Sequence, residues 1–306
     1  STSGEPHSLL DLTSKALQFL SEFALDEIKQ GWLKACNVAK DDVLWVLTVP
    51  AIWNDFGKAF MRKAAFRCGM IRDEGSDHLL LAIEPESAAI AVHRDATSYG
   101  ILSEGASFIM LDVGGGTADF TVHKVSRAKP LLLDEIVPPV GGPWGGAFVE
   151  KQFRTFLERL IGSKFAQLEQ YHSVELEEII DEFRALKEDF DPDTNAVSTI
   201  SLGALFTRIP DLLQLVVNYN ASYVNYAKFD LSRKRTGRLI EEQYILTFSH
   251  EQMLEFFEPT LASICSCVRQ TLTLEQCSET SALVIVGGYG SSKVLRNRIE
   301  CEFSGA

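Results

Sequence analysis

The run Leu111-Asp112-Val113-Gly114-Gly115-Gly116-Thr117-Ala118-Asp119 constrains this chain more than any other stretch. An apolar segment, Phe108 to Val113, leads into three glycines, and Asp119 to Val125 then alternates as a strand does, so the run reads as a hairpin with a glycine turn. Glycine lets backbone N–H groups approach an anion closely and adopt positive φ, so such a turn can cradle phosphate oxygens. Asp112, at the strand end, is placed to hold a Mg²⁺ hydration shell or to orient water, and Thr117 to give its hydroxyl to a phosphate. Taken alone, the run fits a plain hairpin turn equally well. A dinucleotide-binding fingerprint is excluded, because its glycines lie between a strand and a helix. No G-x-x-x-x-G-K-[ST], G-x-S-x-G or H-E-x-x-H occurs either, so P-loop, serine-hydrolase and zincin chemistry have no foothold.

The segments around this run define an α/β chain. Ser8 starts a helix over about 9–30, with Leu10, Leu17, Leu20, Ala24 and Ile28 at helical spacing. Val43 to Val49 reads as a strand ended by Pro50, and Asn54-Asp55 caps a helix through Phe60, Ala64 and Cys68. Leu79 to Ile83 reads as a buried strand, and Pro85 opens a helix through Ser87 to His93. After the glycine turn, Leu131 to Val137 forms a third strand, and Gly141 to Gly146 leads into a helix over about 147–161. Residues 171–193 carry nine acidic and two basic side chains, with Leu176, Ile179, Ile180, Phe183 and Leu186 on a helical stripe; a surface helix with a solvated acidic face is the simplest reading. Lys228 to Arg238 is a basic island expected at a turn or hairpin tip, in solvent. Ser249 or His250 begins a long helix to about Leu272, Ala282 to Val286 is a buried strand, and Ser291-Ser292 cap a final helix, Lys293 to Glu300.

Composition narrows the function classes. The 306 residues hold 29 Lys plus Arg against 42 Asp plus Glu, a formal charge of −13, and a field of that sign repels phosphate backbones and anionic headgroups. Nucleic acid and membrane surfaces are therefore excluded as partners, and the apolar runs are far short of the ~20 residues a spanning helix needs. Ser1 to His7 lacks the features of a secretory signal, and the six cysteines are scattered; Cys36, Cys68, Cys265, Cys267, Cys277 and Cys301 read as reduced thiols of a cytoplasmic protein.

Five separate motifs, in order, resemble the nucleotide-binding domain of the 70-kDa heat-shock chaperones, members of the actin-like ATPase superfamily. They are Thr48-Val49-Pro50-Ala51-Ile52-Trp53-Asn54-Asp55, Ile83-Glu84-Pro85-Glu86-Ser87-Ala88-Ala89-Ile90-Ala91, the Asp112 to Asp119 run, Gly145-Gly146, and Val286-Gly287-Gly288. Trp53, Ser87 and the Gly141 to Gly146 run most resemble the atypical heat shock 70 kDa protein 12 branch. The resemblance implies an actin-like (ribonuclease H-like) ATPase fold with mixed sheets, a stress-response chaperone role, and ATP or ADP with Mg²⁺ as cofactor. It makes the Asp112 to Thr117 stretch the second phosphate loop, so that Gly114, Gly115, Gly116 and Thr117 bind phosphate and Asp112 stands near Mg²⁺ and the attacking water. Glu84 matches the carboxylate that reaches the metal through water, although a helix-start carboxylate favoured by the dipole explains it as well. Gly145 and Gly146 join the nucleotide site, Gly287 and Gly288 resemble the adenosine loop, and Lys187 falls where the family contacts adenine. A strand-to-helix turn also accounts for Gly287-Gly288.

The departures matter as much. The family's first strands, its glycine-threonine phosphate loop and its phosphate-contacting lysine have no counterpart here, and Ser291 stands where an arginine usually follows the adenosine glycines. The resemblance thus implies a truncated first lobe over 1–105 and a complete second lobe over 106–306, with a helical subdomain at about 160–275. Ser1 in place of a Met start fits a fragment. Hydrogen bonds to charged groups contribute roughly 1.5–3 kcal/mol each, so losing three removes at least ~4.5 kcal/mol, about a thousandfold in affinity. Phosphoryl transfer needs positioning from both sides of the phosphate chain, so at most feeble ATPase activity is expected. The leading reading is an ATP-binding, chaperone-like protein whose clients the sequence does not name. A non-enzymatic protein-interaction module on the same fold, using the acidic helix, is the alternative, and a small-molecule kinase of the superfamily is a third.

Overall fold

The computed structural model describes residues 7–31, 38–94, 103–202, 205, 230–236 and 239–304. Cys36 lies outside the described residues, as do Lys228, Phe229, Gly237 and Arg238 of the basic island. The chain divides into two units, one of residues 1–107 with 123–139, the other of 108–122 with 140–306. Among the described residues no helix is long and apolar enough to cross a membrane.

The first unit opens with α1 (Leu9–Gln30), whose N-cap Ser8 accepts a hydrogen bond from the Asp11 N–H at 3.1 Å. Strand β1 (Trp45–Val49), helix α2 (Asp55–Arg67) and strand β2 (Leu79–Ile83) form a crossover that returns the chain parallel, with Trp45 opposite Leu79 and Val49 opposite Ile83. Asn54 caps α2 through the Gly57 N–H, and α3 (Glu84–Arg94) follows β2 without a break. Leu17 of α1 packs with Ala64 and Ala65 of α2, Met70, Ile71 and Leu79. Arg62 ties α2 to the lead-in of β2 by donating to the carbonyls of Glu74, Ser76 and Leu79.

The two strands form a sheet of their own among the described residues, and one face of it stays open: Val46 and Leu80 are about half exposed. The expectation that β2 is a buried strand therefore holds only for Leu79. On α1, Leu9, Leu12, Phe19, Leu20 and Phe23 form an exposed apolar stripe opposite the buried Ser14, Leu17, Ser21 and Leu25.

A four-stranded sheet takes the order β5-β4-β3-β9, from β3 (Ser107–Val113), β4 (Ala118–Arg127), β5 (Leu132–Gly142) and β9 (Thr280–Val286). Every residue of β3 except Asp112 is buried. β5 runs on through Gly141 and Gly142, past the expected end at Val137. A side chain at Gly141 would stand 2.5 Å from the Ala118 carbonyl, so glycine is what lets β5 lie this close to β4. β9 is only partly buried rather than a core strand, because it is the sheet's outer strand.

The second unit continues with α4 (Gly146–Ile161), α5 (Phe165–Tyr171), α6 (Ser173–Asp189), β6 (Ser198–Ser201), β7 (Asp230–Thr236), β8 (Leu239–Phe248), α7 (His250–Leu272) and α8 (Lys293–Phe303). Asp230 to Thr236 of the basic island form a strand antiparallel to β8, with Arg233 opposite Glu242 in register. Parallel and antiparallel pairings thus occur in one α/β chain. Ser249 forms a capping box with Gln252 at the start of α7. Where α4, α6, α7 and β8 meet, five phenylalanines interlock: Phe153 stacks on Phe183 at 4.1 Å and meets Phe248 and Phe256 edge-to-face, and Phe156 contacts Phe248 and Phe256. Phe153→Ala removes the centre of this cluster and is expected to cost about 3–5 kcal/mol, read from the denaturant midpoint; a loss under about 1 kcal/mol would mean that the site collapses around the gap.

Candidate functional site

The glycine turn is held by contacts of backbone on backbone. The Gly114 N–H donates to the Thr117 carbonyl at 3.0 Å, closing the turn between β3 and β4. Its outward carbonyls then receive the start of α4: Gly146 N–H donates to Gly114 O at 3.0 Å, Ala147 N–H to Gly115 O at 2.7 Å, and Gly145 N–H to Gly116 O at 3.4 Å. No side chain caps α4 and its first turn has no acidic residue, so the turn itself satisfies donors that a helix start leaves free. A Cβ on Gly145 would lie 2.6 Å from Gly114 O and from the Gly115 carbonyl, which explains the glycine there.

A second approach comes from β9. Gly287 has φ +89, and a Cβ on it would fall 2.5 Å from Val113 O and 2.8 Å from Asp112 Oδ1. Eight of the sequence-picked residues, Asp112, Gly114 to Thr117, Gly145, Gly146 and Gly287, are therefore in direct backbone or side-chain proximity. Gly287→Ala combines an unfavourable positive φ with overlap on backbone, and is expected to destabilise by about 2–5 kcal/mol; an unchanged thermal midpoint would show that β9 can move away.

Burial raises the Asp112 carboxyl above its ordinary pKa. The Asp119 carboxyl is raised too, by burial first and by the nearby Asp112 charge, against a Thr117 hydroxyl that donates to its Oδ2 at 3.0 Å. Asp119 is only 2% exposed and its Oδ1 has no hydrogen-bond partner, although the sequence reading gave it no role of its own. No local pattern marks it, because the first half of β4 is buried on both faces and does not alternate between core and solvent. Thr117 is thus engaged with Asp119 rather than free.

A cleft of about 860 Å³ lies beside the turn. It is lined by Gly115, Gly146, Ala147, Glu150, Arg184 and Lys187, by Glu188 to Asp191, and by Gly288, Tyr289 and Ser291 to Lys293. Asp112, Asp119 and Gly287 are not among the lining residues. A Cβ on Gly115, Gly116 or Gly288 would meet nothing within 4 Å, so these three glycines leave open space rather than close contact.

Lys187 departs from the solvated acidic helix that the composition suggested. It takes a place on the buried stripe of α6, donating to Glu150 at 2.8 Å and to the Gly146 carbonyl at 3.3 Å, while Leu186 is only partly buried. Burial works against the Glu150 carboxylate, yet hydrogen bonds from Arg184 and Lys187 hold its pKa below the ordinary value. The Lys187 ammonium is therefore satisfied by protein, and it braces α6 against the start of α4. Glu84 is the first residue of α3, in the other unit.

Ser291 and Ser292 were expected to cap α8 through their hydroxyls. Ser292 is the N-cap residue but makes no side-chain cap bond, and Ser291 gives its hydroxyl to Gly288 O at 2.7 Å, because the tight turn at Tyr289–Ser291 brings that carbonyl closer.

No group of three or more His, Cys, Asp or Glu poised for a metal exists among the described residues. Asp119, with one unpartnered oxygen, and the nearby Asp112 carboxylate still fit Mg²⁺, which is bound by one or two carboxylates together with phosphate and water. Because both pKa values are raised, the stability these groups contribute is full below the ordinary carboxylate pKa and is lost as pH rises through the raised folded values. Asp119→Asn keeps an acceptor for Thr117 and is expected to raise the thermal midpoint near pH 7 while changing little near pH 4. A lower midpoint near pH 7 would instead reveal a favourable partner for the carboxylate.

No protein-family model matches the chain. Among curated proteins it is 26% identical to heat shock 70 kDa protein 12A of Homo sapiens and of Mus musculus, over 98% of this chain and 50% of each relative. It is 27% identical to heat shock 70 kDa protein 12B of Homo sapiens, over 97% of this chain and 49% of that protein. The chain thus spans about half the length of the curated relatives it matches. Over nearly its whole length, the chain resembles the atypical heat shock 70 kDa protein 12 branch of the 70-kDa heat-shock family, as its ordered motifs implied.

Proposed function

We propose that this chain is an adenine-nucleotide-binding, chaperone-like protein of the cytoplasm, taking ATP or ADP with Mg²⁺. The observation that carries the reading is the convergence of Gly145 and Gly287 on the turn after Asp112, with an open cleft of about 860 Å³ alongside. Close packing at Gly145 and Gly287 holds the turn with backbone alone, while Gly115 and Gly146 line the cleft beside it without side chains. Mg²⁺ would be held by Asp112 and Asp119 and would supply charge neutralisation for the phosphates. Gly115 and Gly116 would take phosphate oxygens, and Gly146, Lys187 and Gly288 would flank the nucleoside. Thr117, in this reading, orders Asp119 and would offer its hydroxyl to phosphate.

The proposed architecture is actin-like, with a truncated first lobe over 1–105, a complete second lobe over 106–306 and a helical subdomain at about 160–275. A site with one phosphate loop would bind weakly and hydrolyse ATP feebly or not at all by itself.

Calorimetric titration with Mg-ADP and Mg-ATP tests this. We expect measurable heat from the wild-type chain, and a loss of about tenfold or more in affinity from both Asp112→Asn and Gly288→Trp, each tenfold being about 1.4 kcal/mol. A Cβ on Gly288 meets nothing within 4 Å and Gly288 lines the cleft, so Gly288→Trp introduces its bulk at the cleft wall without a clash at the backbone. Absence of heat from a folded sample, or binding that both substitutions leave unchanged, would overturn the reading.

A further inference from the structure

Two segments about a hundred residues apart in sequence meet at the cleft. Phe190 to Thr194 follows α6, α8 begins at Lys293, and Asp191 and Lys293 both line the cleft. The two are joined twice. The Lys293 ammonium donates to Asp191 Oδ2 at 2.5 Å, and Asn297, one helical turn further on, donates to Asp193 Oδ1 at 3.3 Å.

The segment is built to present these groups. Asp191 Oδ1 accepts the Asp193 N–H at 3.1 Å, and the Asp191 carbonyl accepts both the N–H and the hydroxyl of Thr194. One oxygen of Asp191 therefore folds its own turn while the other reaches Lys293. Phe190, just before, is anchored by stacking on Phe257 at 5.8 Å. The contacts with α8, by contrast, are polar and half exposed: the Lys293 side chain is 59% accessible and Asp191 33%. Such a contact forms and breaks readily and weakens with salt, whereas the aromatic anchor does not. The hydrogen bond to Lys293 holds the Asp191 carboxyl below its usual pKa and the Lys293 ammonium above its own, so the pair stays charged at neutral pH.

We infer that the paired contacts Asp191–Lys293 and Asp193–Asn297 form a clasp over the cleft, and that its opening sets the rate at which ligand enters and leaves. This regulation rests on the nucleotide reading of the same cleft. A clasp that touches the rim acts on entry and exit alike, so it changes both rates more than their ratio.

Two measurements on the full chain test it. In the ligand-free protein, hydrogen exchange at the amides of residues 190–194 is expected to quicken about two- to fivefold in Lys293→Met/Asn297→Ala, while the conservative Lys293→Arg keeps the wild-type rate. In stopped flow with a fluorescent ADP analogue and Mg²⁺, the double variant is expected to release and take up nucleotide about two- to fivefold faster. Raising salt from ~0.05 to ~0.5 M should speed wild-type release toward the variant's and leave the variant nearly unchanged. If the wild type binds nucleotide and the double variant releases it at the wild-type rate, the clasp inference fails alone. If the folded wild type binds no nucleotide, the nucleotide reading and the gate fall together. Unchanged exchange at 190–194 in the double variant overturns the clasp whatever the ligand does.

Discussion

Three stretches of the second unit meet with no side chain between them: the glycine turn 114–117, the start of α4 at Gly145-Gly146, and the end of β9 at Gly287. The turn's carbonyls take the first N–H groups of α4, and Gly287 lies against Val113 at a distance a Cβ would not tolerate. A helix start that donates several hydrogen bonds to a turn cannot slide or rotate without breaking them together. The direction of α4 is set there. With it go the phenylalanine cluster that α4 shares with α6 and α7, and the position of Glu150 in the lining of the cleft.

The electrostatics of the cleft follow from the same arrangement. Because α4 is fixed against the turn, Glu150 faces α6, and the pair Arg184 and Lys187 converges on it. A lysine on a buried stripe is costly unless paired, and here a carboxylate and a backbone carbonyl satisfy it. The carboxylates of Asp112 and Asp119 are the opposite case: burial raises both, and the Asp112 charge raises Asp119 further. One cluster is balanced internally, while in the other an oxygen of the buried Asp119 has no hydrogen-bond partner. That asymmetry supports the proposed nucleotide reading.

Much of the architecture was legible from local signals. The caps at Ser8, Asn54 and Ser249, the apolar runs of β2 and β3, and the glycine turn were placed within a few residues of where they lie, because each depends on neighbours in sequence. What failed was burial and extent. β2 and β9 look like core strands in sequence, but each has few strand neighbours. Leu186 and Lys187 exchange the roles that polarity assigns them, since the helix phase at the end of α6 follows Glu150 on another element. Gly141 and Gly142 looked like loop but continue β5, because close approach to β4, not flexibility, requires Gly141. Asp119 passed as a strand residue because nothing local distinguishes an unpartnered buried carboxylate from an exposed one.

By itself the sequence determined the α/β character, the ordered motifs and the backbone freedom at the glycines, properties carried by residue type and short-range spacing. Tertiary structure alone decided which glycines are tightly packed and which leave open space, that Lys187 is paired, and that Asp119 is left without a partner on one oxygen. It also decided that Asp191 and Asp193 meet Lys293 and Asn297 across a hundred residues. The physical reason is common to all of these. Close backbone approach, desolvation and charge pairing depend on which atoms stand within a few ångströms, and for residues on different elements that distance is set only when the elements pack.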